Sequence, residues 1–180
     1  MIRKYEKFRR DYLKLRNEID DLALSLEKLH FKHLKCRAGC DLCCMDYSIF
    51  PVEFSYILNE LKKEKLTLLP ANHGKNNACI FLEDHTCSIY EHRPVICRTH
   101  GLPLLYMNEN NEWELSICEL NFTDYDLNEF TTKNTYPQDR YNSKLFLLNK
   151  NFIEETNNKQ YRETDLIPIK ELAEYLTRSD

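Results

Sequence analysis

The chain has 180 residues, a formal net charge of −4 and eight cysteines. This length fits one domain, or one domain with a helical appendage, and allows an ordinary core without disulfide staples. No apolar run follows the charged N-terminus and no segment reaches eighteen apolar residues, so we predict neither a signal peptide nor a membrane span. We therefore expect a cytoplasmic protein with reduced thiols, where clustered cysteines ligate metal or perform redox chemistry more often than they form disulfides.

The charge is unevenly distributed along the chain. Residues 1–35 carry ten Lys or Arg against six Asp or Glu, and residues 36–180 carry fifteen against twenty-three. A general nucleic-acid-binding protein would be more basic across its body, so we expect no nucleic-acid partner. The basic first segment could contact an acidic protein partner, but a solvated helix face explains its composition more simply.

The first predicted element is a long helix over residues 2–34. Aromatic side chains at the first three positions of its apolar seam suit a two-stranded coiled coil poorly. We expect the helix to pack on the C-terminal helices of the same chain, and a homodimer through this face is the alternative. The seam alternates steps of three and four for more than three heptads and consists of Tyr5, Phe8, Tyr12, Leu15, Ile19, Leu22, Leu26 and Leu29.

Short elements are predicted next. A helix should run from Pro51 to about Glu64, because proline suits the first helical position and an apolar stripe follows it. Residues 65–78 look irregular. Extended pieces are expected at residues 79–82 and 87–90, and a short helix from Pro94.

The last third of the chain combines a hairpin with two helices. The hairpin should pair residues 102–107 with 113–120 and turn through 108–112. Helices are expected near residues 141–155 and from about Pro168. The whole pattern predicts a mainly helical α+β fold with a long N-terminal helix and C-terminal helices.

We expect a single domain over residues 1–180. Its parts would be the long helix (1–35), a cysteine-cluster region with short strands and a hairpin (36–120), and a C-terminal helical region (121–180). The chain has only three glycines, Gly39, Gly74 and Gly101, and each lies within five residues of a cysteine. This placement agrees with a backbone that folds tightly around a site.

Seven of the eight cysteines lie in the 62 residues from Cys36 to Cys97, four of them in the segment Cys36-Arg-Ala-Gly-Cys40-Asp-Leu-Cys43-Cys44. Thiolates packed this closely repel one another unless a cation neutralises them. The side chains of the neighbours Cys43 and Cys44 must diverge, so one ion could hardly bind both. Two adjacent ions, or two irons of one cluster, could share them, and eight thiols would supply two four-coordinate sites.

We take all eight thiols as candidate metal ligands, and for each the alternative is a small buried hydrophobic residue. That alternative has most weight for Cys36, which could be the last seam position of the first helix, and for Cys118. Cys118 should lie on the strand face opposite Trp113, Leu115 and Ile117, which favours a ligand. The candidates are Cys36, Cys40, Cys43, Cys44, Cys79, Cys87, Cys97 and Cys118.

Other residues could assist these thiols. Cys97 should lie one turn into the helix that begins at Pro94, where the helix N-terminus stabilises a thiolate. His85 and His100 lie close to cysteines, and either could replace a thiolate, although solvent exposure is the commoner outcome for such histidines.

The cysteine segments Cys36-x3-Cys40-Asp-Leu-Cys43-Cys44, Cys79-Ile-Phe-Leu and Cys87-Ser-Ile-Tyr-Glu-His-Arg-Pro-Val-Ile-Cys97-Arg resemble the YkgJ-type (CxxCxxCC) cysteine-cluster family. The resemblance covers roughly residues 36–100. It implies a domain whose cysteines hold zinc or iron. Cys36 stands one residue farther out than the opening of the family pattern, and Cys118 carries over only through the family's count of eight cysteines. The other six carry over directly.

The Arg-Pro-x-x-Cys-Arg part of the pattern has a physical interpretation as well. Several thiolates around a divalent ion leave excess negative charge, which nearby cations can offset. We expect this role for Arg93, Arg98, Arg37 and Lys35, with surface ion pairs as the alternative.

Metal chelation by the cysteine cluster is the function we expect, with zinc or iron, including an iron–sulfur cluster, as the ion. An iron–sulfur or metal-dependent enzyme of the redox or methyltransferase type is one alternative, because flagellin lysine methylases have a related cysteine pattern. A zinc-stabilised protein-interaction module is another. The spacing Cys36-x3-Cys40-x2-Cys43 also matches radical S-adenosylmethionine enzymes, but the chain lacks the repeated strand–helix units and the glycines of their barrel.

Overall fold

The computed structural model describes residues 2–65 and 78–177 of the chain. Residues 66–77, with Gly74 and most of the segment predicted to be irregular, lie outside the described residues. Five α-helices occur in the described ranges: α1 (Ile2–His30), α2 (Pro51–Lys63), α3 (Val95–Thr99), α4 (Gln138–Thr156) and α5 (Glu171–Thr177). The mainly helical α+β prediction is confirmed.

The strands of the described residues are short and form three small sheets. β1 pairs antiparallel with β7, β2 pairs antiparallel with β3, and β4 pairs antiparallel with β5 and parallel with β6. They are β1 (Ser48–Ile49), β2 (Leu82–Glu83), β3 (Thr86–Cys87), β4 (Leu104–Met107), β5 (Trp113–Ser116), β6 (Tyr136–Pro137) and β7 (Ile167–Pro168).

Helix α1 is the spine of the fold, and it packs against α4, α3 and α2. The predicted packing on helices of the same chain is therefore confirmed, and the homodimer stays a prediction. The helix ends at His30 rather than near residue 34, because the carbonyl of His30 accepts bonds from the amides of both His33 and Leu34 in a closing turn.

The buried face of α1 departs from the predicted seam toward its C-terminus. Leu29 is 61% exposed, whereas Ala23 and Leu26 are buried at 5% and 3% exposure and His30 at 2%. From Phe8 to His30 the buried positions average about 3.7 residues apart, close to the 3.6 of a straight helix. A heptad seam stays on one face only when helices supercoil around each other. Helix α1 instead packs on three different helices, so its buried positions follow the 3.6-residue period of a straight helix.

Helix α2 begins at Pro51 as predicted and buries most of its apolar side chains. The extended pieces predicted at residues 79–82 and 87–90 are shorter in the structure, where they correspond to β2 and β3. Asp84 and His85 join the two strands, and both have positive φ (44° and 61°). Two consecutive residues of this kind match the tight hairpin turn that suits the strand twist.

The hairpin of β4 and β5 is confirmed, but the apolar face assigned to it is wrong. Trp113 is 63% exposed, and β5 ends at Ser116, so Cys118 lies beyond the strand rather than on its opposite face. The final helix begins at Glu171 instead of near Pro168. Pro168 belongs to β7, which pairs with β1, and the amide of Ile169 donates to the carbonyl of Tyr47 at 2.8 Å.

The core lies between α1, α2, α4 and α5, and Cys79 and Cys87 pack against it. None of the helices in the described ranges has both the length and the apolar character to cross a bilayer.

The departure of the buried α1 face from the predicted seam gives a matched pair of substitutions. Leu26→Ala should lower the free energy of unfolding by about 2–4 kcal/mol because it opens a cavity in the core. Leu29→Ala should change it by less than about 0.5 kcal/mol because that side chain is in water. Urea unfolding of both variants measures the difference, and equal losses would show that the heptad seam is the buried face after all.

A second test concerns the ion pair between α1 and α2. Arg9 donates to both carboxylate oxygens of Glu60 (2.9 and 3.2 Å), and these bonds, with a third from Lys63, lower the pKa of Glu60 to about 2. A lowered pKa stabilises the fold above the unfolded-state value of about 4.3, and the contribution disappears as the pH falls toward about 2.

Glu60→Gln should therefore cost about 1 kcal/mol at pH 7, since both partners still touch water. The gap between variant and wild type should close as the pH falls from about 5 toward 2. Urea midpoints of both proteins across this range test it, and a gap that does not depend on pH would contradict the prediction.

Candidate metal centre

The eight cysteines lie in five separate segments of the chain. Cys36, Cys40, Cys43 and Cys44 lie in the loop after α1, Cys79 lies before β2, Cys87 lies on β3, Cys97 lies in α3, and Cys118 follows β5. All are free thiols; Cys36 is exposed and the other seven are half-buried.

Four thiols, which we name the first thiol group, lie near one another: Cys36, Cys40, Cys43 and Cys118. Burial raises the pKa of the Cys36 thiol, and negative charge on Cys118 and Cys40 would raise it further. Burial likewise raises the pKa of Cys43, with additional effects from Cys36, Cys40 and Cys118. These mutual effects link the four thiols, and the effect of Cys43 on Cys44 connects them to the remaining thiols.

The remaining thiols form the second thiol group: Cys44, Cys79, Cys87 and Cys97. Burial above all raises the pKa of Cys44 to about 12, and charge on Cys43, Cys79 and Cys87 adds to it. Burial also raises the pKa of Cys97, and negative charge on four neighbours raises it further. In decreasing order of effect these are Cys79, Glu53, Cys87 and Cys44. The helix N-terminus that we expected to stabilise the Cys97 thiolate therefore does not determine its pKa. Cys97 lies in the middle of the five residues of α3, where desolvation has the larger effect.

Main-chain contacts hold the second thiol group together. The amide of Cys79 donates to the carbonyl of Cys44 at 3.1 Å, and Met45 and Ala78 form a β-bridge next to it. The amide of Leu82 then donates to the carbonyl of Cys79 at 3.0 Å, and Leu82 is the register partner of Cys87. Three of the four thiols thus sit on one continuous hydrogen-bonded frame.

A single buried side chain, Asn121, links Cys36 to Cys118 in the first thiol group. Its Nδ2 donates to Cys36 Sγ (3.3 Å) and to the carbonyl of Gly101 (2.8 Å), and its Oδ1 accepts from the amide of Lys35 (2.7 Å). Its own amide donates to the carbonyl of Cys118 at 2.9 Å. Asn121 was not predicted from the sequence, since an asparagine three residues after a cysteine carries no distinguishing pattern.

Gly101 confirms that the backbone approaches a cysteine closely. Its φ is +89°, and a Cβ there would lie 2.4 Å from Cys36 Sγ. Gly39 has the same φ of +89°, but no atom lies within 4 Å of the position of its Cβ. Of these two described glycines, Gly101 is the one where a thiol requires the absence of a side chain.

Tyr47 borders both thiol groups. Its hydroxyl donates to the carbonyl of Cys43 at 3.1 Å, and its ring packs on His100 with 5.1 Å between centroids. Burial raises the pKa of Tyr47, and charge on Cys43 and Cys97, one thiol from each group, adds to the effect.

The two histidines near the cysteines differ in environment. Burial lowers the pKa of His100, and its Nε2 has no hydrogen-bond partner among the described residues. His85 is exposed and lies 2.9 Å from Asp41 Oδ2 through its Nδ1, which joins the β2–β3 turn to the cysteine loop. A neutral imidazole with a free nitrogen can ligate metal, so His100 is the better placed of the two.

The cations expected to offset thiolate charge are divided in role. Arg93 stacks over the Tyr90 ring at 3.7 Å, and its positive charge partly opposes the burial that raises the pKa of Cys87. Arg98 is placed elsewhere than expected. Its Nη1 donates to both carboxylate oxygens of Asp20 on α1, each at 2.8 Å. A buried guanidinium needs a charged acceptor, and Asp20 supplies one.

Arg98 and Glu53 fix the position of α3, the helix that carries Cys97. Arg98 links α3 to α1, while the buried Glu53 of α2 accepts bonds from the amide of Val95 and from the hydroxyl of Tyr12, both at 2.7 Å. Burial raises the pKa of Glu53. The carboxylate therefore joins three helices at the start of α3.

The thiols are neighbours that have not closed into a coordination shell. Within residues 2–65 and 78–177, no three Cys, His, Asp or Glu side chains stand in an arrangement that could already hold a metal ion. Their chemistry nevertheless fits one, since grouped, partly dehydrated thiols with a neutral imidazole nearby are donors that zinc and iron prefer. Closure would need local movement of the thiols toward each other.

Comparison with known proteins agrees with this donor set. Residues 35–119 match the family model CxxCxxCC, described as "Putative zinc- or iron-chelating domain". The match runs from one residue before Cys36 to one residue after Cys118, so it includes all eight cysteines. No curated protein and no solved structure matches the chain. The cysteine-bearing part of this chain is therefore similar, over 85 of its 180 residues, to the domains that this family model describes.

Proposed function

We propose that this protein chelates zinc or iron through the thiolates of its eight cysteines. The observation that carries the proposal is that hydrogen bonds link cysteine segments that are far apart in the sequence: Cys79 to Cys44 directly, and Cys36 to Cys118 through Asn121. All eight thiols are free. The family match, which includes all eight cysteines, supports the same function.

The environment of the thiols explains why they need a metal. Burial and mutual repulsion raise the pKa of most of them, so without a cation they stay protonated. A divalent ion displaces these protons and supplies the positive charge that the thiolates lack. Bound zinc would cross-link the cysteine segments, and bound iron would add one-electron redox chemistry.

Metal binding should also stabilise the fold. The loop between α1 and β1 has few regular hydrogen bonds, and its exposed Leu42 shows that the core does not hold all of it. A metal that binds only the folded state adds its binding free energy to the stability. Chelation and stability are therefore linked in this proposal.

Elemental analysis of protein purified anaerobically tests the function directly. We expect bound zinc or iron, a fall in melting temperature on treatment with EDTA, and recovery when the metal is restored. Thiol alkylation counted by mass spectrometry is the second measurement, because ligating thiolates should be protected until the metal is removed. The proposal would be refuted if the protein is purified without metal and if added zinc or iron changes neither its melting temperature nor its thiol labelling.

The contact between Gly101 and Cys36 supplies a matched test of the ligand position. Gly101→Ala and Gly39→Ala both put a side chain on a backbone with φ of +89°, so both should cost roughly 1 kcal/mol of stability. Only Gly101→Ala displaces the Cys36 thiol. We expect it to weaken metal retention by about 10–100-fold, whereas Gly39→Ala stays near wild type.

Competition with a chromophoric chelator measures this difference. Circular dichroism of both variants checks that the fold survives, and Asn121→Ala, which removes the hydrogen bond to Cys36, should act in the same direction as Gly101→Ala. Equal retention in the two glycine variants would mean that Cys36 is not a ligand.

A further inference from the structure

We propose that the eight thiols form two separate metal centres, one per thiol group, and that the first centre exchanges its metal while the second retains it. The first centre would use Cys36, Cys40, Cys43 and Cys118, and the second Cys44, Cys79, Cys87 and Cys97. This inference rests on the proposed chelating function and adds to it which thiols act together and which ion can be released.

The chain itself divides the groups between Cys43 and Cys44. From Cys44 onward the backbone joins the β2–β3 frame, through the bond from Cys79 to the Cys44 carbonyl and the adjoining Met45–Ala78 bridge. The carbonyl of Cys43 accepts from the hydroxyl of Tyr47, whose ring packs against His100, and from the amide of Met45 at 3.1 Å. Because the side chains of adjacent residues diverge, Cys43 and Cys44 suit two ions better than one.

The second group is fixed by the core. Cys79 and Cys87 pack against the buried hydrophobic cluster. Cys97 lies in α3 two residues after the buried Val95, and α3 is pinned to α1 and α2 through Arg98 and Glu53. Release of an ion there would require α3 or the hairpin to leave the core, and openings of that size are rare in a folded protein.

The first group is held much more lightly. Cys36 is exposed, and Leu42, between Cys40 and Cys43, is 64% exposed. Cys118 follows β5, whose Trp113 lies largely in water. The link between Cys36 and Cys118 is the side chain and amide of Asn121, so a small local opening would uncover these thiols. Local openings of this kind are frequent compared with movements of the core.

Adjacent substitutions in the same loop test the division: Cys43→Ser removes one ligand of the first centre, and Cys44→Ser removes one of the second. Wild-type protein loaded with zinc should hold about two ions per chain and release them to a chromophoric chelator in two phases of similar amplitude. The phases should differ in rate by at least about tenfold. Cys43→Ser should lose the fast phase and keep the slow one, and Cys44→Ser should do the reverse.

A measurement on the wild-type chain covers the case in which Cys44→Ser does not fold. Alkylation during metal withdrawal, followed by peptide mass spectrometry, should label the cysteines of the first group before those of the second. Simultaneous labelling of all eight, or loss of all metal from both serine variants, would show one shared polynuclear centre and overturn the inference. Such results leave chelation intact, whereas a wild-type chain that binds neither zinc nor iron would refute the proposed function itself.

Discussion

The removal of water from half-buried thiols, reinforced by repulsion between any thiolates that form, is the constraint on which the rest of this structure depends. Burial raises the pKa of six of the eight thiols, so these six resist ionisation unless positive charge enters with them. The protein's own cations do little to help. Arg98 is committed to Asp20, and Arg93 acts on Cys87 alone among the thiols with shifted pKa values. The missing charge is thus best supplied by a bound ion.

Two buried polar side chains convert a helical scaffold into a site for that ion. Glu53 sets the start of α3 and so positions Cys97, and Asn121 joins the end of the α1 segment to Gly101 and Cys118. Each would be costly to bury unpaired, and each is satisfied by main-chain groups or a tyrosine hydroxyl. Each therefore has hydrogen-bond partners that position it beside a cysteine-bearing segment.

The parts of this architecture that sequence could predict are those encoded locally. Apolar periodicity and Pro51 located α1 and α2, and alternation with a polar turn located the β4–β5 hairpin. The divergence of Cys43 and Cys44 also follows from adjacency. The partition of the other thiols does not, because it depends on contacts such as that of Asn121 with Lys35, 86 residues away. The exposure of Leu29 and the Arg98–Asp20 pair likewise follow from how the helices pack rather than from periodicity or spacing.

The segment around Tyr47 connects the thiols to the C-terminal part of the chain. Tyr47 donates to the Cys43 carbonyl, its own carbonyl accepts the amide of Ile169, and β7 pairs with β1 just beyond it. Because burial raises the pKa of Tyr47, the hydroxyl stays protonated and keeps its role as a donor beside negatively charged sulfur. The C-terminal strand therefore closes over the end of the cysteine loop. Helix α5 follows β7 and packs on α2, so this connection ties the cysteine loop to the helical core.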